Sequence, residues 1–175
     1  MGLMRAVFDM VFRPGVQRMK AQGPGWPVRL FHVDTGGCNG CGMELQALAG
    51  APYDMQGAGF GFTDSPRNAD MLVVTGPLTR AMAPVVQAAW DAMPAPRGLV
   101  CVGACAIDGG LFGENYAVMG GLERRVAVDL AIPGCPPAPT DVLDGLCTLF
   151  RAAPAGPASG VGAGGADDAA GPQGA

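Results

Sequence analysis

Charge is scarce in this chain. Only 15% of its 175 residues are charged, while 49% are apolar. So little charge cannot clothe a whole surface, and a large area is expected to lie against other protein. Lys and Arg number 11 against 15 Asp and Glu, net −4, with no basic stripe, which excludes general nucleic-acid binding. Long apolar runs are missing as well: none reaches the roughly 18 residues of a membrane span. The N-terminus lacks the apolar core and cleavage site of a secretory signal. Arg124-Arg125 lies far too deep to be a twin-arginine signal. The expectation is a cytoplasmic chain, in which cysteine pairs bind metal more often than they form disulfides.

What is present falls into three parts. Residues 1–27 place Leu3, Met4, Val7, Phe8, Val11 and Phe12 at helical spacing and then run into the glycine- and proline-punctuated linker "AQGPGWP". This predicts an N-terminal amphipathic helix for a membrane surface, a partner, or the chain's own domain. Residues 28–151 alternate apolar runs with helical patterns. Strands are predicted at 28–34, 69–76, 97–105 and 125–135, with helices through 43–50, 83–93 and 139–150. Near-continuous apolar strands separated by helices mean an α/β fold with a central parallel sheet covered on both faces. Residues 152–175 have no periodicity and no large apolar side chain, which predicts a disordered tail.

Four of the six cysteines stand just after predicted strands: Cys38 and Cys41 in "GGCNGCG", Cys105 in "VGACA", and Cys135 in "IPGCPP". In an open parallel sheet the loops after the strands share one edge, so these four are expected to converge there. Four thiolates at one place suit tetrahedral zinc or an iron–sulfur cluster. Small neighbours (Gly36, Gly37, Gly40, Gly42, Gly103, Ala104, Gly134) and the ring of Pro136 favour the cluster, because they let backbone N–H groups approach sulfur. Zinc sites more often use two close pairs, and only one pair here is close. A redox dithiol of Cys38 and Cys41 alone would leave the other two loops without a role. Cys101 inside a strand and Cys147 inside a helix read as small buried hydrophobes. His32, the single histidine, reads as a core or rim residue.

The motifs "GGCNGCGMEL", "SPRNADMLVVTGPLTRAM", "VGACAIDGGLFGENYAV" and "VDLAIPGCPPAPTDVLDGL" occur in this order between Val28 and Phe150. With them the chain resembles the superfamily of complex I B-type subunits and nickel–iron hydrogenase small subunits. The closest resemblance is to the short small subunits of energy-converting, formate hydrogenlyase-type hydrogenases. The resemblance implies a flavodoxin-like single domain holding one 4Fe–4S cluster on Cys38, Cys41, Cys105 and Cys135. It implies a hydrogenase-like large subunit, a ferredoxin-like iron–sulfur subunit and membrane-arm subunits as partners. The chain would then sit on the cytoplasmic face of the inner membrane through those partners. Complex I subunits usually carry adjacent cysteines at the first motif, so the C-x-x-C here points to the hydrogenase branch. The complex I role, passing electrons to quinone, is the alternative. Glu44 matches a glutamate shared by both branches and is the candidate for coupling proton uptake to electron arrival. Ala138 stands where related sequences often carry Arg, which bears on a partner contact and not on ligation.

Overall fold

The computed structural model describes residues 27–151; the predicted N-terminal helix and C-terminal tail lie outside them. Its strands are β1 (Val28–Asp34), β2 (Phe60–Phe62), β3 (Met71–Thr75), β4 (Gly98–Val102) and β5 (Leu130–Ile132). All pair in parallel, in the order β2-β1-β3-β4-β5. This is the flavodoxin-like strand order, and its direction reverses between β1 and β3. The helices are α1 (Gly40–Leu48), α2 (Ala83–Ala92), the single-turn α3 (Ala104–Ile107) and α4 (Pro139–Arg151).

Every residue of β3 and β4 is buried, as central strands covered on both faces must be. Alternation along each strand sends side chains to two separate cores. Leu72, Val74, Leu99 and Cys101 meet α2 through Val86, Ala89 and Trp90. Met71, Val73, Val100 and Val102 meet α1 and α4 through Leu45, Leu48, Val142 and Leu146. Pro84 stands in the first turn of α2, where its missing N–H leaves no helical bond unmade. The apolar positions Val142 and Leu146 are four apart on α4, each 1% exposed.

Two strand boundaries and one whole strand depart most from the sequence expectation, each for a local reason. The strand expected through Cys105 stops at Val102, because Gly103 takes a φ of 90° and turns the chain into α3. The strand expected from Arg125 begins only at Leu130. The residues before it fold back instead, with Leu122 and Glu123 donating their N–H groups to the carbonyls of Ala106 and Ile107. β2, three residues with Gly61 at its centre, gives no periodic signal at all.

Candidate metal centre

The strand register sets the site. Asp34 pairs with Thr75, Thr75 with Val102, and Val102 with Ile132, so β1, β3, β4 and β5 end level with one another. Every segment leaving this row starts from the same rim. Cys38 and Cys41 follow Asp34, Gly76 follows Thr75, Cys105 follows Val102, and Cys135 follows Ile132. Cys38, Cys41, Cys105 and Cys135 line one recess there, with Asp34 and Pro136. The convergence expected from chain order is what the sheet delivers.

Local structure aims each cysteine. Asp34 turns the chain after β1: its Oδ1 accepts the N–H groups of Gly36 and Gly37 at 2.9 and 3.0 Å. Asn39 then takes a left-handed φ of 66° and starts α1, so that Cys41 lies in the first helical turn and not in a loop. Gly37 and Gly76 touch backbone to backbone: a Cβ on Gly76 would stand 2.6 Å from the nitrogen of Gly37. Cys105 rides on α3, next to Gly110, where a Cβ would stand 3.0 Å from its sulfur. Cys135 leaves β5 through "IPGCPP", where Gly134 accepts the N–H of Ala104 at 2.8 Å. Cys38 and Cys135 are exposed, and Cys41 and Cys105 half-buried.

Electrostatics bear on whether these residues fit a cationic group. Burial pushes the Cys41 thiol up to about 11, and the facing Cys105, Cys38 and Cys135 add to the rise. Cys105 is also pushed up, by burial and then by Cys135 and Cys38, while the Leu111 N–H pulls the other way. Burial and neighbouring sulfurs both disfavour the thiolate at Cys41 and Cys105, and positive charge among the sulfurs offsets both. Iron or zinc supplies that charge, and its binding releases the thiol protons. The donor set therefore fits a thiolate-bound metal group. Among the described residues, no three His, Cys, Asp or Glu side chains stand close enough around one point to hold a single ion. The cysteines line a recess rather than a point.

The remaining candidates lie elsewhere. Cys101 is wholly buried in β4, and desolvation pushes its thiol up to about 12. Cys147 packs half-buried on α4 beside the second core. His32 bonds through Nε2 to the hydroxyl of Thr75 at 2.9 Å, and burial holds its pKa below 6.5. Glu44 is half-buried on α1, one turn beyond Cys41, and is not among the residues lining the recess. Sequence reading passed over Asp34, Thr35 and Thr75. The first had a visible signal, since Asp followed at two and three positions by glycine marks an Asx turn.

The family model for NADH ubiquinone oxidoreductase, 20 Kd subunit, matches residues 38–149. An uncharacterised protein of Methanocaldococcus jannaschii is 42% identical over 122 residues, covering 70% of this chain and 80% of that one. Formate hydrogenlyase subunit 7 of Escherichia coli is 43% identical over 116 residues, 66% of this chain and 46% of its own length. The NADH-quinone oxidoreductase B-subunit of Desulfovibrio desulfuricans is 43% identical over 124 residues, 71% of this chain and 64% of its own. The match thus spans about half to two thirds of those two named subunits. Among solved structures, a chain of a membrane-bound sulfane sulfur reductase, an archaeal respiratory membrane complex, superposes with a TM-score of 0.62. It is 28% identical, over 78% of this chain and 72% of that one. A chain of an NAD+-reducing NiFe hydrogenase shares the fold, with a TM-score of 0.56 at 22% identity over 71% of this chain and 92% of that one.

Proposed function

The chain belongs to the NADH ubiquinone oxidoreductase 20 Kd subunit family, and from that premise we propose that it is an electron-transfer subunit with one 4Fe–4S cluster on Cys38, Cys41, Cys105 and Cys135. The observation that carries this reading is the single recess lined by these four cysteines at the level ends of β1, β3, β4 and β5. Such a cluster supplies one-electron oxidation and reduction; the protein supplies burial, N–H groups and distance. Cys41 and Cys105 hold the buried side of the site, and Cys38 and Cys135 its open side. An open side suits an electron carrier that works against a partner.

The partners are a hydrogenase-like large subunit and a ferredoxin-like iron–sulfur subunit, attached to a membrane arm on the cytoplasmic face. Leu111 and Tyr116, 96% and 93% exposed on the segment after Cys105, support a protein-covered surface there. No helix among the described residues is long and apolar enough to cross a membrane. Identity to formate hydrogenlyase subunit 7 and to an NADH-quinone oxidoreductase B-subunit is 43% in both cases, so it does not separate the branches. The C-x-x-C of Cys38 and Cys41 favours the hydrogenase role. The complex I role, with electrons passing to quinone, is the second reading.

Two measurements test this. The full chain, purified without oxygen, is expected to be brown, with about four iron and four sulfide per chain. A colourless, iron-free protein that binds zinc instead overturns the cluster. The complex isolated through a tag on this chain is expected to contain nickel and to reduce a viologen dye with hydrogen. Quinone reduction without nickel moves the assignment to the complex I branch.

A further inference from the structure

A glycine stands where three cysteine-bearing segments meet. We propose that Gly103 is a positioning residue for the cluster, its missing Cβ being the space that the sulfur of Cys41 occupies. The inference rests on the cluster reading above and deepens it.

Gly103 follows β4 and precedes α3, with φ 90° and ψ 152°. A Cβ built there would lie 2.5 Å from Sγ of Cys41 and 3.5 Å from the carbonyl oxygen of Gly134. Carbon and larger atoms pack at about 3.5–4 Å, so a methyl group and this sulfur cannot share the place. Neither side can give way freely. Cys41 is half-buried in the first turn of α1, and its sulfur can move only between the staggered positions of one bond. Gly103 is pinned by its own backbone: its N–H donates to the carbonyl of Ile132 at 2.8 Å. The next N–H, from Ala104, donates to Gly134 at 2.8 Å. Those two bonds tie the Cys105 segment to the Cys135 segment. A side chain at 103 must therefore displace the Cys41 sulfur or part the other two cysteines. In both cases the four sulfurs lose their common frame, and each iron needs its own thiolate.

Backbone shape by itself favours glycine at 103, so the sulfur contact has to be separated from strain. Gly113 has φ 57° and ψ −165°, the same glycine-favoured region, yet a Cβ there meets nothing within 4 Å. It serves as the control for backbone strain without sulfur contact.

The test uses the full chain, purified without oxygen, as wild type, Gly103→Ala and Gly113→Ala. Iron and acid-labile sulfide are measured per chain, with the electron paramagnetic resonance spectrum of the reduced protein. Gly113→Ala is expected to keep the cluster, and Gly103→Ala to lose it by about tenfold or more. Wild-type iron content and unchanged g-values in Gly103→Ala overturn the inference and leave the cluster reading standing. Equal loss in Gly113→Ala also overturns it, since backbone shape would then suffice. Iron-free wild type removes the cluster reading and this inference together. If Gly103→Ala folds poorly, melting of the iron-free chain decides the matter. Gly103→Ala is expected to lower the midpoint less when Cys41→Ala has removed the sulfur. An equal drop in both backgrounds overturns the contact.

Discussion

The hydroxyl of Thr35 donates to the carbonyl of Thr75 at 2.8 Å, with Gly76 O within 2.9 Å, which closes the seam between β1 and β3 just behind the cysteine recess. Both threonines are buried, at 0% and 2% exposure. The backbone oxygen of Thr35 in turn accepts the hydroxyl of Thr79 at 2.8 Å, so the two loops are laced together from both sides. The one Thr35 hydroxyl proton is shared between the carbonyls of Thr75 and Gly76, and Thr35→Val keeps the shape but removes it. Thr75 O keeps the N–H of Thr35, while Gly76 O loses its hydroxyl partner. Stability is expected to fall by roughly 1–3 kcal/mol, the usual cost of a buried polar group left unpaired. Denaturant unfolding of the full chain measures it; a change within error would mean that the loops need no lacing.

The cysteines divide into ligands and core. Cys38→Ala, Cys41→Ala, Cys105→Ala and Cys135→Ala are each expected to remove or severely deplete iron and sulfide. Cys101→Ala and Cys147→Ala are expected to retain both, at a stability cost of roughly 1–3 kcal/mol or less. Iron and sulfide assays on the six variants decide it. Full loading of Cys135→Ala, or none in Cys147→Ala, assigns a different set.

Acid sensitivity is expected at His32. Burial lowers its pKa from 6.5, and the nearby Asp34 offsets this only in part. A base whose folded pKa is lowered stabilises the protein above the unfolded value. That stabilisation is lost as pH falls below 6.5 and through the folded value. The melting temperature should therefore drop between pH 7.5 and 5 by more in wild type than in His32→Gln, whose amide can still meet the Thr75 hydroxyl. Parallel pH profiles would remove His32 from the account.

Glu44→Gln keeps the side chain's shape and removes its charge. The variant is expected to hold the cluster, to flatten the pH dependence of its midpoint potential and to slow turnover of the whole complex. Redox titration at several pH values checks it. Unchanged pH dependence with normal turnover leaves Glu44 a structural residue of α1.

Outside the described residues, composition makes opposite predictions for the two ends. Deleting 154–175 is expected to leave cluster content and assembly intact, since an Ala-, Gly- and Pro-rich segment has little apolar surface to bury. Deleting 1–20 removes Leu3, Val7, Phe8 and Val11 and is expected to weaken association with membranes or partners. Co-purification of partner subunits with each truncated chain reads both.

By itself the sequence determined the alternation of elements, the two-faced burial of the central strands and which cysteines stand after strands. These are local or periodic properties: "MLVVT" and "GLVCV" are apolar throughout because both of their faces are covered. The boundaries around Gly103 and before Leu130 were not legible, because a positive φ and a fold-back onto Ala106 leave no periodic trace. Short β2 was invisible for the same reason. Only the tertiary structure decided that Asp34, Thr75, Val102 and Ile132 end level, since register depends on pairing between segments far apart in the chain. The same holds at the centre of the site. "VGAC" names a glycine, but that its absent Cβ faces Cys41, some sixty residues earlier, follows from how β4 and α1 come together at the rim.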